Sequence, residues 1–498
     1  MCRPRSCAYC HDMIPDVTVT QAVFGDRPRG GRAALVDATS GRTVSYAELA
    51  AAVWPAAAGL VRQGLGPGAV VALHLPDTPE FVIAAHAVLA AGATLTLIRP
   101  TVTAEAMARR LTETGARAVI SWPVLVDIAL KAAEATEVER VFCFGSEPDV
   151  EPFATLLSGS PAVRPRLDPA RDVALIPYTR GTTGPPRAVR LTHRNVVAGF
   201  EQASGIFSAA DTVLSAIPFA DVIGFAGALG PALRAGAMLV TRSGTGRHDL
   251  LRALQDHRVT VALLTPAEVE VLAFEQSVGR HDLRALRSII STSGPLRPEI
   301  ARSCSVRMRC PVRQAYGLAE ASGLTHLNLR AAEEGTLDSV GRGLPGVSWR
   351  IIDPATGTDQ ASYQAGELRL KGPSVSLSGH EWLPTGDAAF ADEHSRVFIM
   401  GRMTSAGPEP PTEPEAVLAT HPAVADAAVA SIPDRELGLV PHAFVVLREP
   451  VSAPDLLAYV NGHLPAYQHV RAVHFTEAIP RSPSGQVLRR ALIERARL

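Results

Sequence analysis

From about residue 30 the chain alternates short β-rich apolar runs with longer Ala/Leu-rich amphipathic segments. This rhythm restricts the possible folds more than any other feature. VVALHLP (70–76) follows AAGLVRQGLG, ARAVISW (116–122) follows AEAMARRLTETG, and VTVALLTP (259–266) follows LLRALQDH. Such alternation predicts βαβ units, with largely parallel sheets covered by helices. A chain of 498 residues is too long for one core, so two or more domains are expected. The rhythm stops at 405–416, SAGPEPPTEPEA, where four prolines exclude a regular element and mark a linker or exposed loop. The expected fold class is α/β: a large N-terminal body of βαβ subdomains with mostly parallel sheets, plus a small mobile α/β C-terminal lid. The expected divisions are a flexible tail at 1–17, the body at 18–400, a hinge and proline-rich loop at 401–416, and the lid at 417–498. No convincing internal repeat is present.

Apolar residues make up 47% and charged residues 19%, the balance of a globular enzyme rather than a disordered chain. With 48 basic and 49 acidic residues there is no electrostatic footprint for nucleic acid. Only Lys131 and Lys371 are lysines, so arginine at a lysine position reads as compositional drift. FVIAAHAVLAAGATLTLI (81–98) is uncharged and about long enough to span a bilayer, but Gly92 divides it into a buried helix and a strand. The N-terminus, MCRPRSCAYCHDM, has no apolar core for a signal peptide. Its Cys7-Ala8-Tyr9-Cys10-His11 matches the haem-attachment spacing, yet a chemistry that needs export finds no export signal; a disordered tail or an upstream start choice is the expectation. Cys143, Cys304 and Cys310 read as reduced core thiols of a cytoplasmic protein, with no membrane partner.

The densest chemical signal is YTRGTTGPPRAVRLTH (178–193). Gly181 and Gly184 let backbone N–H groups approach a ligand, Thr179, Thr182 and Thr183 add hydroxyl donors, and Arg180, Arg187 and Arg190 add cations. Hydroxyls beside exposed amides make a nest for phosphate oxygens. The spacing is not that of a standard nucleotide P-loop.

This stretch resembles the phosphate loop of the adenylate-forming superfamily of acyl- and aryl-CoA ligases, luciferases and peptide-synthetase adenylation domains. Further segments are similar, in order: PEFVIAAHAVLAAGATLTLIRP, QAYGLAEAS (314–322), SVGRGLPG, GELRLKGPSV, LPTGDAAF (383–390), HPAVADAAVASIPD and IPRSPSGQVLRRAL (479–492). The resemblance runs from about residue 18 to the end. It implies formation of an acyl-AMP from ATP and an acid, release of pyrophosphate, and transfer to an acceptor. It further implies that Thr179, Thr182 and Thr183 cradle the β- and γ-phosphates, with Arg180, Gly181, Gly184 and Arg187 in the same turn. Glu320 matches the magnesium-binding glutamate. Tyr316, flanked by Ala315 and Gly317, would stack on adenine, with Ser293-Gly294-Pro295 on the far side. Asp387 would accept from both ribose hydroxyls, with Arg402 closing on the sugar.

Three departures qualify that picture. Gln486 stands where the family has its catalytic lysine, a loss of charge that drift toward arginine does not explain. After Arg402 the family's Lys- and Gly-bearing loop gives way to the shorter MTSAGPEPPTEPE, preceded by Gly401 at the hinge position, which puts CoA as acceptor in doubt. In SAIPFADVIGFAG (215–227), Ala220-Asp221 takes the place of an aromatic-His pair beside the acid pocket, which Phe219 and Gly317 are also expected to line. A carboxylate at Asp221 would repel an acid, and would suit an amine-bearing partner unless it caps a turn or faces solvent. The main expectation is an ATP- and Mg2+-dependent ligase acting on a small acid with CoA or an amine as acceptor. The alternatives are a nitrite-activating diazotase acting on an aryl amine, and a non-catalytic nucleotide-binding relative.

Overall fold

The computed structural model describes residues 14–25, 30–158, 165–179, 186–242, 246–328, 337–354, 356–376, 381–404, 407–408, 413–434, 438–464, 469–480 and 492. The Cys7/Cys10 tail and Gln486 lie outside them.

Two large sheets carry the body. In the nine-stranded sheet, Val312–Leu318, Ser288–Ser291, Val261–Leu264, Thr212–Ser215, Met238–Thr241 and Ala33–Asp37 run parallel in that order, with antiparallel strands at both ends. The seven-stranded sheet centres on Val70–His74 and Thr94–Leu97, is parallel through Val173–Ile176, and ends in antiparallel Leu191–Thr192. Parallel strands buried on both faces explain the near-continuous apolar runs read in the sequence. A five-stranded sheet, Ser348–Ile352 through Gly407–Pro408, is antiparallel throughout, beside the two mostly parallel sheets. Beyond it, Val424–Asp434 and Gly438–Leu447 form a hairpin whose second strand pairs in parallel with Ala472–Phe475, the small α/β unit.

The uncharged 81–98 segment divides as its glycine predicts. Pro79 starts a helix running to Ala90, Gly92 turns at φ +78°, and Thr94–Leu97 enters the seven-stranded sheet. Phe81, Val82, Ala85, Val88 and Leu89 are all buried, so the run is apolar because protein surrounds it. Among the described residues no helix is long and apolar enough to cross a membrane. Cys143, Cys304 and Cys310 are free and buried.

Two boundaries differ from expectation. Ile14 and Val17, placed in the flexible tail, pack against the main core. Within the proline-rich loop a helix begins at Glu413 and runs to Ala419. Pro414 sits in its first turn, where a missing N–H breaks no helical hydrogen bond.

The helix His193–Gln202 starts on a reciprocal cap, in which Thr192 accepts from the Asn195 backbone and Asn195 accepts from the Thr192 backbone. Asn195 Nδ2 then donates to the Pro373 carbonyl at 2.8 Å, joining the helix after the phosphate loop to the five-stranded sheet. The next close approach is Gly230 against the ring of buried Phe200. A Cβ there would lie 2.1 Å from the ring. Gly230→Ala is expected to destabilise the chain by about 1–3 kcal/mol, as overpacking does, with part of the loss recovered in Gly230→Ala/Phe200→Leu. Urea melts of the three proteins check this; an unchanged midpoint for Gly230→Ala would contradict it.

Candidate active site

The phosphate-loop base is built by a narrow antiparallel ladder. Strands Val173–Ile176 and Leu191–Thr192 pair, and Tyr178 bridges to Ala188 beyond them. The Thr179 N–H donates to the Arg187 carbonyl, and the Arg187 N–H donates to Thr179 Oγ1, both at 3.0 Å. Thr179 thus ties the loop shut while its own hydroxyl hydrogen stays available to donate. Arg187 is exposed. Arg180, Gly181, Thr182, Thr183 and Gly184, the tip of the loop, lie outside the described residues. Tyr178 anchors the ladder from the side: its hydroxyl donates to Glu113 Oε2 at 3.0 Å.

A second cluster joins two sheets. Tyr316 lies on Val312–Leu318 of the nine-stranded sheet, while Asp387 and Arg402 face each other on neighbouring strands of the five-stranded sheet. The Tyr316 hydroxyl donates to Asp387 Oδ2 at 2.5 Å, and Arg402 Nη1 donates to Asp387 Oδ1 at 2.7 Å. Arg402 also reaches the Thr385 carbonyl at 3.1 Å, and Thr385 Oγ1 accepts from the Asp387 N–H at 3.0 Å. Burial, then the Asp387 charge, raises the Tyr316 phenol well above its usual range, so it stays a donor. Gly386 and Gly401 flank the pair at φ +68° and +136°, backbone that glycine adopts without strain. The three residues assigned by resemblance to one nucleoside therefore meet. The arrangement modifies the expectation for Tyr316: its hydroxyl is already bound to the carboxylate, and its ring meets buried His326 edge-on at 5.9 Å.

Ser293, at φ +74°, and Gly294, with Pro266 where its side chain would begin, turn the chain after Ser288–Ser291. Gln314 holds this Ser293-Gly294-Pro295 turn by accepting from the Leu296 N–H at 2.9 Å. Ala315 is buried opposite Leu327. Gly317 packs rather than lines: a Cβ there would lie 2.1 Å from the Gly323 carbonyl and 2.8 Å from Ile223, so its role is close approach of the strand pair to the π-helical turn Ile223–Leu229. Glu320, partly buried in the short turn Ala319–Ala321, lies within electrostatic reach of Arg402.

A cavity of about 400 Å³ joins the loop base to the glycine turn, lined by Thr179 and Pro186 of the former, Ser293 of the latter, and Ala220 and Asp221; Tyr316, Gly317, Glu320, Asp387 and Arg402 are not among its lining residues. Phe219, expected beside them, instead buries its ring against Phe81 with centroids 5.6 Å apart. Asp221 is no free acceptor for an amine. Arg99 clamps it with two hydrogen bonds, Nε to Oδ1 at 2.7 Å and Nη2 to Oδ2 at 2.8 Å, which cancels its charge. Arg99 and Arg110 both line the cavity and escaped the sequence reading. The available signal was Arg99 itself, a charge two residues after the buried strand TLTL.

Residues 23–378 match the family described as AMP-binding enzyme, and 413–486 match the AMP-binding enzyme C-terminal domain. The chain belongs to the AMP-binding enzyme family. It is an adenylate-forming, ATP-dependent acid ligase by that membership. It is similar to 4-coumarate–CoA ligase 5 of Oryza sativa subsp. japonica, 30% identical over 496 residues, 93% of this chain and 92% of that protein. Among solved structures it resembles the amide bond synthetase McbA from Marinactinospora thermotolerans, with TM-score 0.72 and 25% identity over 96% of this chain and 99% of that one. ATP-bound MatB from Rhodopseudomonas palustris matches with TM-score 0.72 and 25% identity over 97% and 99%.

In this AMP-binding enzyme Asp77 Oδ1 accepts from the Phe219 N–H at 3.0 Å and so holds the turn that carries Asp221. Burial pushes its carboxyl up to about 7; the Phe219 N–H works against the rise, Asp221 adds to it and Arg242 opposes it. An unfolded aspartate ionises near 4, so the folded state favours the protonated form. Stability from this group is complete below about pH 4 and is lost as pH rises through about 7. Asp77→Asn, which keeps the acceptor, is expected to raise the melting temperature at pH 8 and change it little at pH 4.5. Thermal melts at both values check this, and an equal offset at the two would contradict it.

Proposed function

We propose that this enzyme activates a small acyl or aryl carboxylic acid in the cavity beside the phosphate loop, then passes it to an acceptor. One observation carries the reading: three segments far apart in sequence, the loop base at Thr179, the turn at Ser293 and the acid-side turn at Ala220-Asp221, open into one cavity. In the first step a carboxylate oxygen attacks the α-phosphorus of ATP, the bond to pyrophosphate breaks, and the acid–AMP anhydride forms. Asp387 would accept from the ribose hydroxyls while Arg402 and Tyr316 hold its carboxylate in place, restricting the reacting groups to one orientation. Thr179, with Thr182 and Thr183, would donate to the departing pyrophosphate.

Glu320 suits a magnesium ion. Its carboxylate is a hard oxygen donor, and among the described residues no cluster of three His, Cys, Asp or Glu forms a closed metal cage. That favours an ion shared between one carboxylate and the nucleotide phosphates. Bound there, the ion would neutralise phosphate charge.

For the second step, the sulfur of CoA attacks the acyl carbonyl and AMP leaves. The 4-coumarate–CoA ligase relative supports a thiol acceptor. The name of the amide bond synthetase supports an amine, but the feature that had pointed to an amine here, a free Asp221, is neutralised by Arg99. The nitrite-activating reading loses the same support.

Acid-dependent exchange of labelled pyrophosphate into ATP is the direct test, run over fatty and aryl acids and nitrite. Exchange with a carboxylic acid is the expected result; none with any acid would leave a nucleotide-binding relative instead. Asp387→Asn is expected to raise the KM for ATP at least tenfold. Losing one preorganised donor costs on the order of 10²–10³ in rate, so Gln486→Lys should raise exchange by up to that order. An unchanged or lower rate would mean that adenylation here does not use that position.

A further inference from the structure

The cavity holds more positive charge than its fold uses. Arg99, Arg110 and Asp221 all line it. Arg99 and Asp221 satisfy each other through their two parallel hydrogen bonds, with Asp221 largely buried. Arg110 has no carboxylate within ion-pair distance among the described residues. Its guanidinium carbon instead lies 4.9 Å from the Tyr178 ring centroid. A cation–π contact uses the flat face of a guanidinium and leaves its N–H edge free for a planar acceptor. The Tyr178 hydroxyl is held by Glu113, so the ring that supports Arg110 is itself fixed. Burial disfavours the Arg110 cation, Tyr178 favours it, and the neighbouring Arg99 charge disfavours it again. Arg109, on the same helix, also disfavours it, and Asp221 offsets only part of the excess. Asp77 and Arg242 are not among the cavity's lining residues, and Arg242 favours the Asp77 carboxylate.

Resting on the adenylating reading above, we propose that the preferred substrate is an acid carrying a second anionic group, a dicarboxylate in the simplest case. One carboxylate reacts toward the Thr179 end of the cavity, and the other is held by the N–H edge of Arg110, in front of the Arg99–Asp221 clamp. Arg110 is then a specificity residue: it binds the part of the acid that does not react. The clamp keeps Asp221 from repelling the same group, which explains why a carboxylate can sit at this place in an acid-activating site.

The test compares pyrophosphate exchange for short linear dicarboxylates against monocarboxylates of the same length, and for phthalate against benzoate. The wild-type protein is expected to favour the dianionic member of each pair. In Arg110→Ala that preference should fall tenfold to a hundredfold, through KM for the dianionic acid, as for loss of one charge-assisted hydrogen bond. Arg110→Lys should keep part of it. Equal use of both members by the wild type overturns the proposal while leaving adenylation intact. So does a loss in Arg110→Ala that falls on KM for ATP or pyrophosphate, which would assign Arg110 to the phosphate tail. Absence of exchange with every acid defeats the adenylating reading. In that case calorimetric titration of the dicarboxylates decides the present one: binding lost in Arg110→Ala supports it, and no binding overturns it.

Discussion

The carboxylate of Asp387 is the point on which the architecture of this site turns. It accepts from Tyr316, on the nine-stranded sheet, and from Arg402, on the next strand of its own sheet. Two sheets of different topology are therefore locked at one acid. A largely buried carboxylate is costly unless its lone pairs are filled, and here a phenol, a guanidinium and a backbone turn at Gly386 fill or orient them. Gly401, adjoining Arg402 at φ +136°, lets the strand twist enough to present that arginine. The same joint is reinforced away from the site by Asn195 on Pro373 and by Ser376 on both Glu320 and Arg190. The segments after the phosphate loop, after the Tyr316 strand and in the five-stranded sheet are thereby bound to one another.

Charge in the neighbouring cavity follows a different logic. A lone aspartate facing an acid substrate would oppose binding, and a lone arginine would attract any anion. Pairing them as Arg99–Asp221 removes both effects and leaves a rigid, locally neutral wall. The remaining cation, Arg110, rests on an aromatic face instead of a carboxylate. The raised Asp77 carboxyl holds the same turn by a single backbone hydrogen bond. Arg99, Asp221 and Arg110 thus line one small polar space, and Asp77 holds the turn that carries one of them.

Much of this was legible without coordinates. The parallel sheets and the division of 81–98 at Gly92 follow from apolar periodicity and glycine placement, which act locally, and the three buried thiols from cysteines scattered singly through the body. Tyr316, Asp387 and Arg402 were picked out by resemblance of short motifs, and the structure brings the three together. The misreadings share one cause. Phe219 was expected to line the pocket and Gly317 to face substrate, and an amine partner was one reading open for Asp221, yet each is defined by a contact with a distant residue: Phe81, Gly323 with Ile223, and Arg99. The proline count in 405–416 gave a true signal for a break but could not show that Pro414 falls in a helical first turn.

From its sequence alone, then, this protein reads as an α/β enzyme with a turn suited to phosphate and candidate residues for an adenylating site, because strand and helix periods and short Gly/Thr motifs are properties of neighbouring residues. What the tertiary structure alone decided is the electrostatic character of the cavity beside the loop base. Arg99 and Asp221 lie on different parts of the chain, and only the packing of the two body sheets brings them within 2.8 Å. Coulomb energy at that range depends on separation and burial, and neither is written in the order of residues.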